Sequence, residues 1–387
     1  MRLVDIMLAL IRYDVLGHEL SSEVKEKITP DTIQPLYTLA NKHDLAHLIA
    51  DALEKNGLTM GDAEMAKRLI KVREIAVFRY AQIQYEQRKV IAAFEKNGVP
   101  FIPLKGAILR QYYPAPWMRT SSDIDILIHP EDIGRATEIL EGECGYRSEG
   151  KLTSHDVSFH STTGVHFELH YDLLDEEDEL DSEIVSDIWS YASPSASASS
   201  HYQLSDEAFY FYHIMHMAKH FRGGGCGIRT LLDLWILNHS VEFDIEKRNS
   251  IIEKGNLSEY NSAMIKISES WFSDVELDEF TSGVEEFILS GGVYGTEEHN
   301  LAVQQVKSGG RFRYIWNRIF VSRKFLTRRY PKLKKRPYLF LFYQVKRWVS
   351  VIFNKETREK SIKEFAHTAD VRSAEDKTRE LLEKLNI

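Results

Sequence analysis

The sequence predicts an α+β protein, a small mixed-sheet core flanked by N-terminal and C-terminal helical domains. Three observations carry that prediction. Apolar residues recur at helical spacing over residues 1 to about 97, as in Leu3, Ile6, Met7, Leu10 and Ile11. Short apolar runs broken by Gly and Pro then replace the helical pattern. Helical spacing returns after residue 205.

The first region, 1–97, reads as three helices. The second starts after Pro30, with Asp31 as cap, and stops before Gly57. The third runs from near Asp62 through Phe94, and Asn97-Gly98 ends it. The core, 98–180, opens with the strand Val99 to Leu104, the turn Lys105-Gly106 and a short helix from Ala107 to Tyr113. Pro114 and Pro116 break that helix, and Ile124 to Ile128 forms a second strand. A helix from Glu131 to Cys144 stops at Gly145. The runs Val157–Ser161 and Val165–His170 then form a hairpin around Thr162-Thr163-Gly164. Residues 181–204 read as an acidic and Ser/Ala-rich linker, an extended surface loop. Ser205 caps the first helix of a helical domain, 205–305, and a basic aromatic tail with a terminal helix occupies 306–387.

Composition narrows the class. Of 387 residues 43% are hydrophobic and 28% charged, which excludes a wholly disordered or fibrous chain. Two cysteines, Cys144 and Cys226, exclude a disulfide framework and a four-cysteine zinc site, and fit a reducing compartment. Asp5, Arg12 and Asp14 interrupt any secretory h-region. No run of about 18 uncharged apolar residues is present, so no membrane span is expected. The chain is expected to be cytoplasmic, with possible peripheral attachment to a membrane.

The net charge of −9 hides two opposed blocks. Asp172 to Asp187 holds nine acidic residues and no basic one. Arg311 to Arg347 holds 13 Lys or Arg and no acidic one, interleaved with aromatics. Such a tract suits the phosphates and bases of RNA, an anionic membrane surface, or packing on an acidic part of the same protein.

The chemistry-bearing segment is Ser122-Asp123-Ile124-Asp125-Ile126-Leu127-Ile128. Alternation along a strand points Asp123 and Asp125 the same way, with Ile124 and Ile126 toward a core. Two carboxylates on one face make a hard-oxygen site suited to Mg²⁺, and phosphoryl-transfer enzymes hold two such ions. In Val165–His170, Glu168 shares a face with His166 and His170. If that strand lies beside the first, Glu168 joins the aspartates, ligates a metal and helps deprotonate an acceptor hydroxyl. The same histidines also fit a zinc site or the solvent face of an antiparallel strand. Upstream, Lys105-Gly106 ends a strand and opens a helix, where free N–H groups and the Lys105 charge suit a phosphate. Further on, His213, His216 and His220 share a helix face. Lys219 and Arg222 stand close by, and Arg229 and Asp233 follow. That face suits closure over a nucleotide. It equally suits a helix–helix contact in which Arg229 and Asp233 form an i,i+4 pair.

The segments PLKGAILRQYY, RTSSDIDILI and VHFELH resemble the nucleotidyltransferases of the DNA polymerase β superfamily. More closely they resemble a bacterial family of largely uncharacterised nucleotidyltransferases. That likeness continues in HIMHMAKHFRGGGCGIRTLLDL and RRYPKLKKRPYLF, spanning about residues 90 to 350. The resemblance implies transfer of a nucleotidyl group from a nucleoside triphosphate to an acceptor, with Mg²⁺ required and pyrophosphate leaving. It implies that Asp123, Asp125 and Glu168 are the catalytic, metal-binding carboxylates. The turn departs from the superfamily, reading Lys105-Gly106-Ala107 where Gly-Gly or Gly-Ser is usual. Lys105, Gly106, Arg119, Ser121 and Ser122 are therefore expected at the triphosphate, with His216, His220, Arg229 and Asp233 completing the nucleotide site. A module that keeps this fold without catalysis, binding nucleotide, RNA or a partner protein, is the rival expectation.

Overall fold

The computed structural model describes residues 1–58, 63–153, 155–174, 183–196, 199–293, 295–330, 332–354, 358 and 372–387. The described chain divides into two units, the first comprising Met1–Lys219 with Gly227–Glu285, the second His220–Cys226 with Glu286–Ile387.

The first unit opens with helices α1 (Leu3–Leu16), α2 (Ser22–Lys27), α3 (Pro30–Lys42), α4 (Ala46–Lys55) and α5 (Ala63–Lys96). The expected single helix from Asp31 to residue 56 is two, because Asp44 takes a left-handed φ of 58° between α3 and α4. The cap of α3 is Thr29 rather than Asp31: Thr29 and Thr32 bond reciprocally, and Pro30 occupies the first turn, where its missing N–H goes unused. The start of α5 expected near Asp62 falls outside the described residues. Its end is as expected: Gly98 adopts φ 62°, and the Val99 amide donates to the Phe94 carbonyl at 3.0 Å.

The sheet follows, with β1 (Phe101–Pro103), α6 (Gly106–Leu109), β2 (Asp123–Ile128), α7 (Ile133–Gly142), β3 (Arg147–Leu152), β4 (Asp156–His160) and β5 (His166–His170). The strand order is β1-β2-β5-β4-β3, with β2 and β5 parallel and the other neighbours antiparallel. Strand β3 was not expected from its sequence, whose charges and Gly150 give no clean alternation. On one face, Ile124, Ile126 and Ile128 of β2 pack with Phe159 of β4 and with Phe167 and Leu169 of β5. Ile83, Val90 and Phe94 of α5 and Ile139 and Leu140 of α7 cover them. Each such side chain contributes about 1.5–3 kcal/mol on burial, which fixes the register. The polar residues between them are thereby forced onto the opposite face.

Past β5 come α8 (Glu183–Ser186), β6 (Ala192–Pro194) and β7 (Tyr202–Leu204). The stretch expected as a loop thus contains a hairpin, with β6 antiparallel to β7. Backbone bonds hold it: the Phe101 amide of β1 donates to the Ser200 carbonyl at 2.9 Å. Residues 181, 182, 197 and 198 of the expected linker, and 175–180 at the end of the expected core, lie outside the described residues. Helices α9 (Asp206–Phe221), α10 (Ile228–Ser240), α11 (Ile245–Lys254), α12 (Ser258–Ser273) and α13 (Glu279–Gly291) follow. Ser205 Oγ accepts from the Ala208 amide at 3.3 Å, the expected cap of α9.

The second unit contains α14 (Glu297–Lys307), α15 (Arg311–Ile319), α16 (Arg323–Arg329), α17 (Lys332–Lys335), α18 (Phe340–Phe353) and α19 (Arg372–Leu385). Leu301, Ala302 and Tyr314 pack as one small core, and Leu326, Leu333 and Tyr343 as another. The terminal helix expected from Glu356 is seen as α19, and residues 355–357 and 359–371 lie outside the described residues. Among the described residues no helix is long and apolar enough to cross a membrane.

Candidate functional site

Pairing of β2 with β5 brings together acids separated by more than forty positions in the chain. Asp123 lies opposite His166, and Asp125 opposite Glu168. Because paired residues point to the same face, the carboxylates and both histidines gather on the side away from the isoleucine core. The hairpin strand is thus beside β2, in parallel.

Two overlapping donor groups result. Ligand atoms of Asp123, His166 and Glu168 lie within 4.8 Å of one another, as do those of Asp125, Glu168 and His170. Glu168 belongs to both, so it links the aspartates. His170 Nε2 stands 3.0 Å from Asp125 Oδ1 and 3.3 Å from Glu168 Oε2. His166 Nδ1 stands 3.8 Å from the other oxygen of Glu168.

Lys105 completes the cluster from the turn after β1. Its ammonium donates to Asp125 Oδ1 at 2.6 Å and lies 4.0 Å from Glu168. To reach there its backbone takes φ 45°, ψ −121°, a conformation that L side chains rarely adopt. In this turn the lysine, not Gly106, carries the unusual backbone. Gly106 serves close packing instead: a Cβ there would meet Ser121 Cβ and an Arg110 nitrogen at 3.3 Å. The free N–H groups expected at the start of α6 are in part committed, since the Ala107 and Ile108 amides donate to Leu104 and Lys105.

Electrostatics separates the two aspartates. Burial would raise the Asp125 carboxyl, but Lys105 and His170 overcome it and hold the group well below the usual carboxylate range. Burial raises Asp123, and the charges of Asp125 and Glu168 add to the rise despite Lys105. His170 is raised because its bonds to Asp125 and Glu168 outweigh burial. Burial likewise opposes the charge on Lys105, yet Asp125 leads the neighbours that raise it. Unneutralised repulsion therefore concentrates at Asp123, where a divalent cation would relieve it. The oxygen donors fit a hard ion such as Mg²⁺.

Other expected residues are placed differently. Arg119 and Asp233 are buried and bonded to each other, with Arg119 Nε 2.8 and 2.9 Å from the two carboxylate oxygens. Tyr113 also donates to Asp233 at 2.7 Å. Arg229 pairs with Asp44, not with Asp233. Ser121 Oγ accepts from Arg110 at 2.8 Å, and the Ser122 carbonyl accepts from Arg79 at 2.9 Å. His216 sits 6.1 Å from the ring of Tyr212. His220 belongs to the second unit.

Two residues at this site escaped the sequence reading. Arg110 is buried, yet its Nε and Nη1 have no hydrogen-bond partner. Burial first, then the neighbouring Arg119, lowers its pKa to about 10. Tyr212 of α9 is buried in the field of the cluster: burial raises its hydroxyl pKa, against Lys105 and with Asp125, Glu168 and Asp123. Arg110 was visible four residues after Gly106, but nothing local in the sequence tells a fully bonded arginine from one with two nitrogens left open.

The fold and this face define a mixed α+β protein with a carboxylate–histidine cluster across two parallel strands and an unsatisfied guanidinium near its glycine turn. The chain belongs to the uncharacterised nucleotidyltransferase family, whose model matches residues 29–273, more than half of the 387. As a member it is a transferase of nucleotidyl groups. No curated protein matches it. Among solved structures it is similar to the antibiotic-resistance factor ANT(2'')-Ia, a solution structure described as revealing substrate-regulated conformation dynamics. That match has 15% identity and a TM-score of 0.33, and covers 45% of this chain and 90% of that one.

Proposed function

We propose that the protein transfers a nucleoside monophosphate from a nucleoside triphosphate to an acceptor hydroxyl at the Asp123–Asp125–Glu168 cluster. The observation that supports it most is the β2–β5 register, which sets Glu168 opposite Asp125. Asp123, Asp125 and Glu168 would hold two Mg²⁺ ions, and such ions supply neutralisation of charge developing on the phosphates. Arg110, beside Gly106 and Ser121, supplies positive charge to the triphosphate. Gly106 lets Arg110 and Ser121 pack against the turn. Lys105 holds Asp125 ionised and in place. The acceptor oxygen forms a bond to the α-phosphorus, the bond from that phosphorus to the β-phosphate oxygen breaks, and pyrophosphate leaves. Glu168, half-exposed, takes the hydroxyl proton. Arg119 and Asp233 act by positioning: their buried pair ties the segment before β2 to α10.

A second reading, nucleotide binding without transfer, draws on the Lys105–Asp125 contact. An ammonium 2.6 Å from Asp125 covers an oxygen that a metal would use. One experiment separates the two. Incubation with each labelled nucleoside triphosphate, Mg²⁺ and candidate acceptors, followed by mass spectrometry, should give an acceptor heavier by one nucleotide. Asp125→Asn should abolish that product while the circular dichroism spectrum stays unchanged. Binding by the native chain with no pyrophosphate released from any triphosphate decides for the second reading.

A further inference from the structure

Helices α15 and α18 of the second unit each carry two apolar faces. The inner faces are used: Tyr314 of α15 packs with Leu301 and Ala302, and Tyr343 of α18 packs with Leu326 and Leu333. The outer face of α18 presents Leu341, Phe342, Val345, Val349 and Phe353, all exposed, with Leu341 at 72% and Phe353 at 83%. Their spacing of four residues makes one stripe about 18 Å long. On α15, Phe312 is 88% and Trp316 61% exposed, and Ile319 and Phe320 continue that stripe.

The two stripes are joined. Trp348 Nε1 and Gln344 Nε2 of α18 donate to the Ile319 carbonyl at 2.7 and 3.0 Å, and Arg347 donates to the Arg318 carbonyl at 2.8 Å. Trp316 stacks on Phe320 at 4.4 Å, and Phe320 meets Trp348 edge-on at 5.3 Å. These contacts link the two exposed stripes through Trp316, Phe320 and Trp348. A water-soluble fold rarely leaves such a surface uncovered unless something binds it.

We propose that this surface docks on an anionic lipid bilayer, lying in the interface without crossing it. Charge selects the lipid. From residue 311 through 353 the chain has 13 Lys or Arg and no acidic residue. Arg313 is exposed on α15, and Lys346 on α18. Anionic headgroups answer those cations while the acyl region takes the stripe. The aliphatic members decide against RNA: bases stack on aromatic rings, but Leu341, Val345 and Val349 offer none, whereas acyl chains accept both kinds. Neither helix is long and apolar enough to span a membrane, which matches attachment at the surface. The inference stands independently of the chemistry of the first unit.

The test is co-sedimentation of the full chain with vesicles of phosphatidylcholine alone and of a phosphatidylcholine–phosphatidylserine mixture. The expected result is binding to the mixed vesicles, weakened by salt, and little to the neutral ones. The double variants Phe312→Ser with Trp316→Ser and Val345→Ser with Val349→Ser should each lower the partition constant about tenfold or more, with helical content unchanged. Val345 and Val349 are exposed on α18, so the second variant leaves the inner faces and the Trp316–Phe320–Trp348 contacts intact. Equal partition of the native chain and both variants overturns the proposal. So does tight binding of single-stranded RNA without vesicle binding. Concentration-dependent self-association that both variants abolish, with no vesicle binding, assigns the surface to a second copy of the chain and also overturns it.

Discussion

Replacing Arg110 with Met should stabilise the protein and weaken nucleotide binding together. The guanidinium is buried, donates to Ser121 at 2.8 Å and leaves Nε and Nη1 without partners. Its fall to about 10 corresponds to roughly 3 kcal/mol against the charged form in the folded state. Met keeps most of the aliphatic stem and removes the charge, but forfeits the Ser121 bond, worth about 1 kcal/mol. The net expectation is a gain of about 2 kcal/mol, or a rise in melting temperature of about 5 °C for a unit of this size. Urea unfolding measures the first effect. Titration with a non-hydrolysable triphosphate measures the second, and the loss of a charge-assisted contact should weaken binding by at least about tenfold. An Arg110→Met chain that is less stable and binds the triphosphate as before would refute the assignment, because an orphaned cation would then be structural after all. A buried cation held in reserve for a ligand is a case of stability given up for function.

Two further expectations concern groups outside the carboxylate cluster. Asp233→Ala leaves Arg119 buried without its partner and should cost about 3–5 kcal/mol in urea unfolding, whereas Arg119→Met combined with Asp233→Leu should recover most of that; a change below about 1 kcal/mol in the single variant would contradict a structural pair. Asp14 is fully covered, 2.7 Å from a Lys55 ammonium that also serves Asp51. Burial, opposed by Lys55 and reinforced by Asp51, pushes its carboxyl up to about 7. A raised carboxyl favours the fold while protonated, so its contribution is complete below about pH 4 and is lost as pH rises through about 7. Native stability should therefore decline across that window by an amount bounded at about 4 kcal/mol, and the decline should be absent in Asp14→Asn. Equal slopes of stability against pH in the two chains would exclude Asp14 as the titrating group.

The residue pattern alone reveals the strands that carry the acids. Ile124, Ile126 and Ile128 alternate with Asp123 and Asp125, and Phe167 and Leu169 alternate with Glu168, because burial of one strand face obliges the other to be polar. It also determined the hairpin at Gly164, the end of α5 at Gly98 and the cap at Ser205, since each depends on a few adjacent residues. It could not determine which strands neighbour one another. The parallel pairing of β2 with β5, with β3 and β4 lying between them in the chain, is a long-range choice made by the isoleucine core packing under α5 and α7. Only that choice brings His166 and His170 to the carboxylates.

Which charges find partners depends on the folded arrangement. Arg229 and Asp233 have the spacing of a helix pair, yet each is bonded to a residue more than a hundred positions away. Arg119 and Arg110 read alike in sequence, and only the fold gives one a carboxylate and leaves the other's nitrogens open. Local alternation is a property of neighbouring residues and survives in any fold that buries one face. Charge pairing depends on distance through space, which no stretch of chain encodes alone.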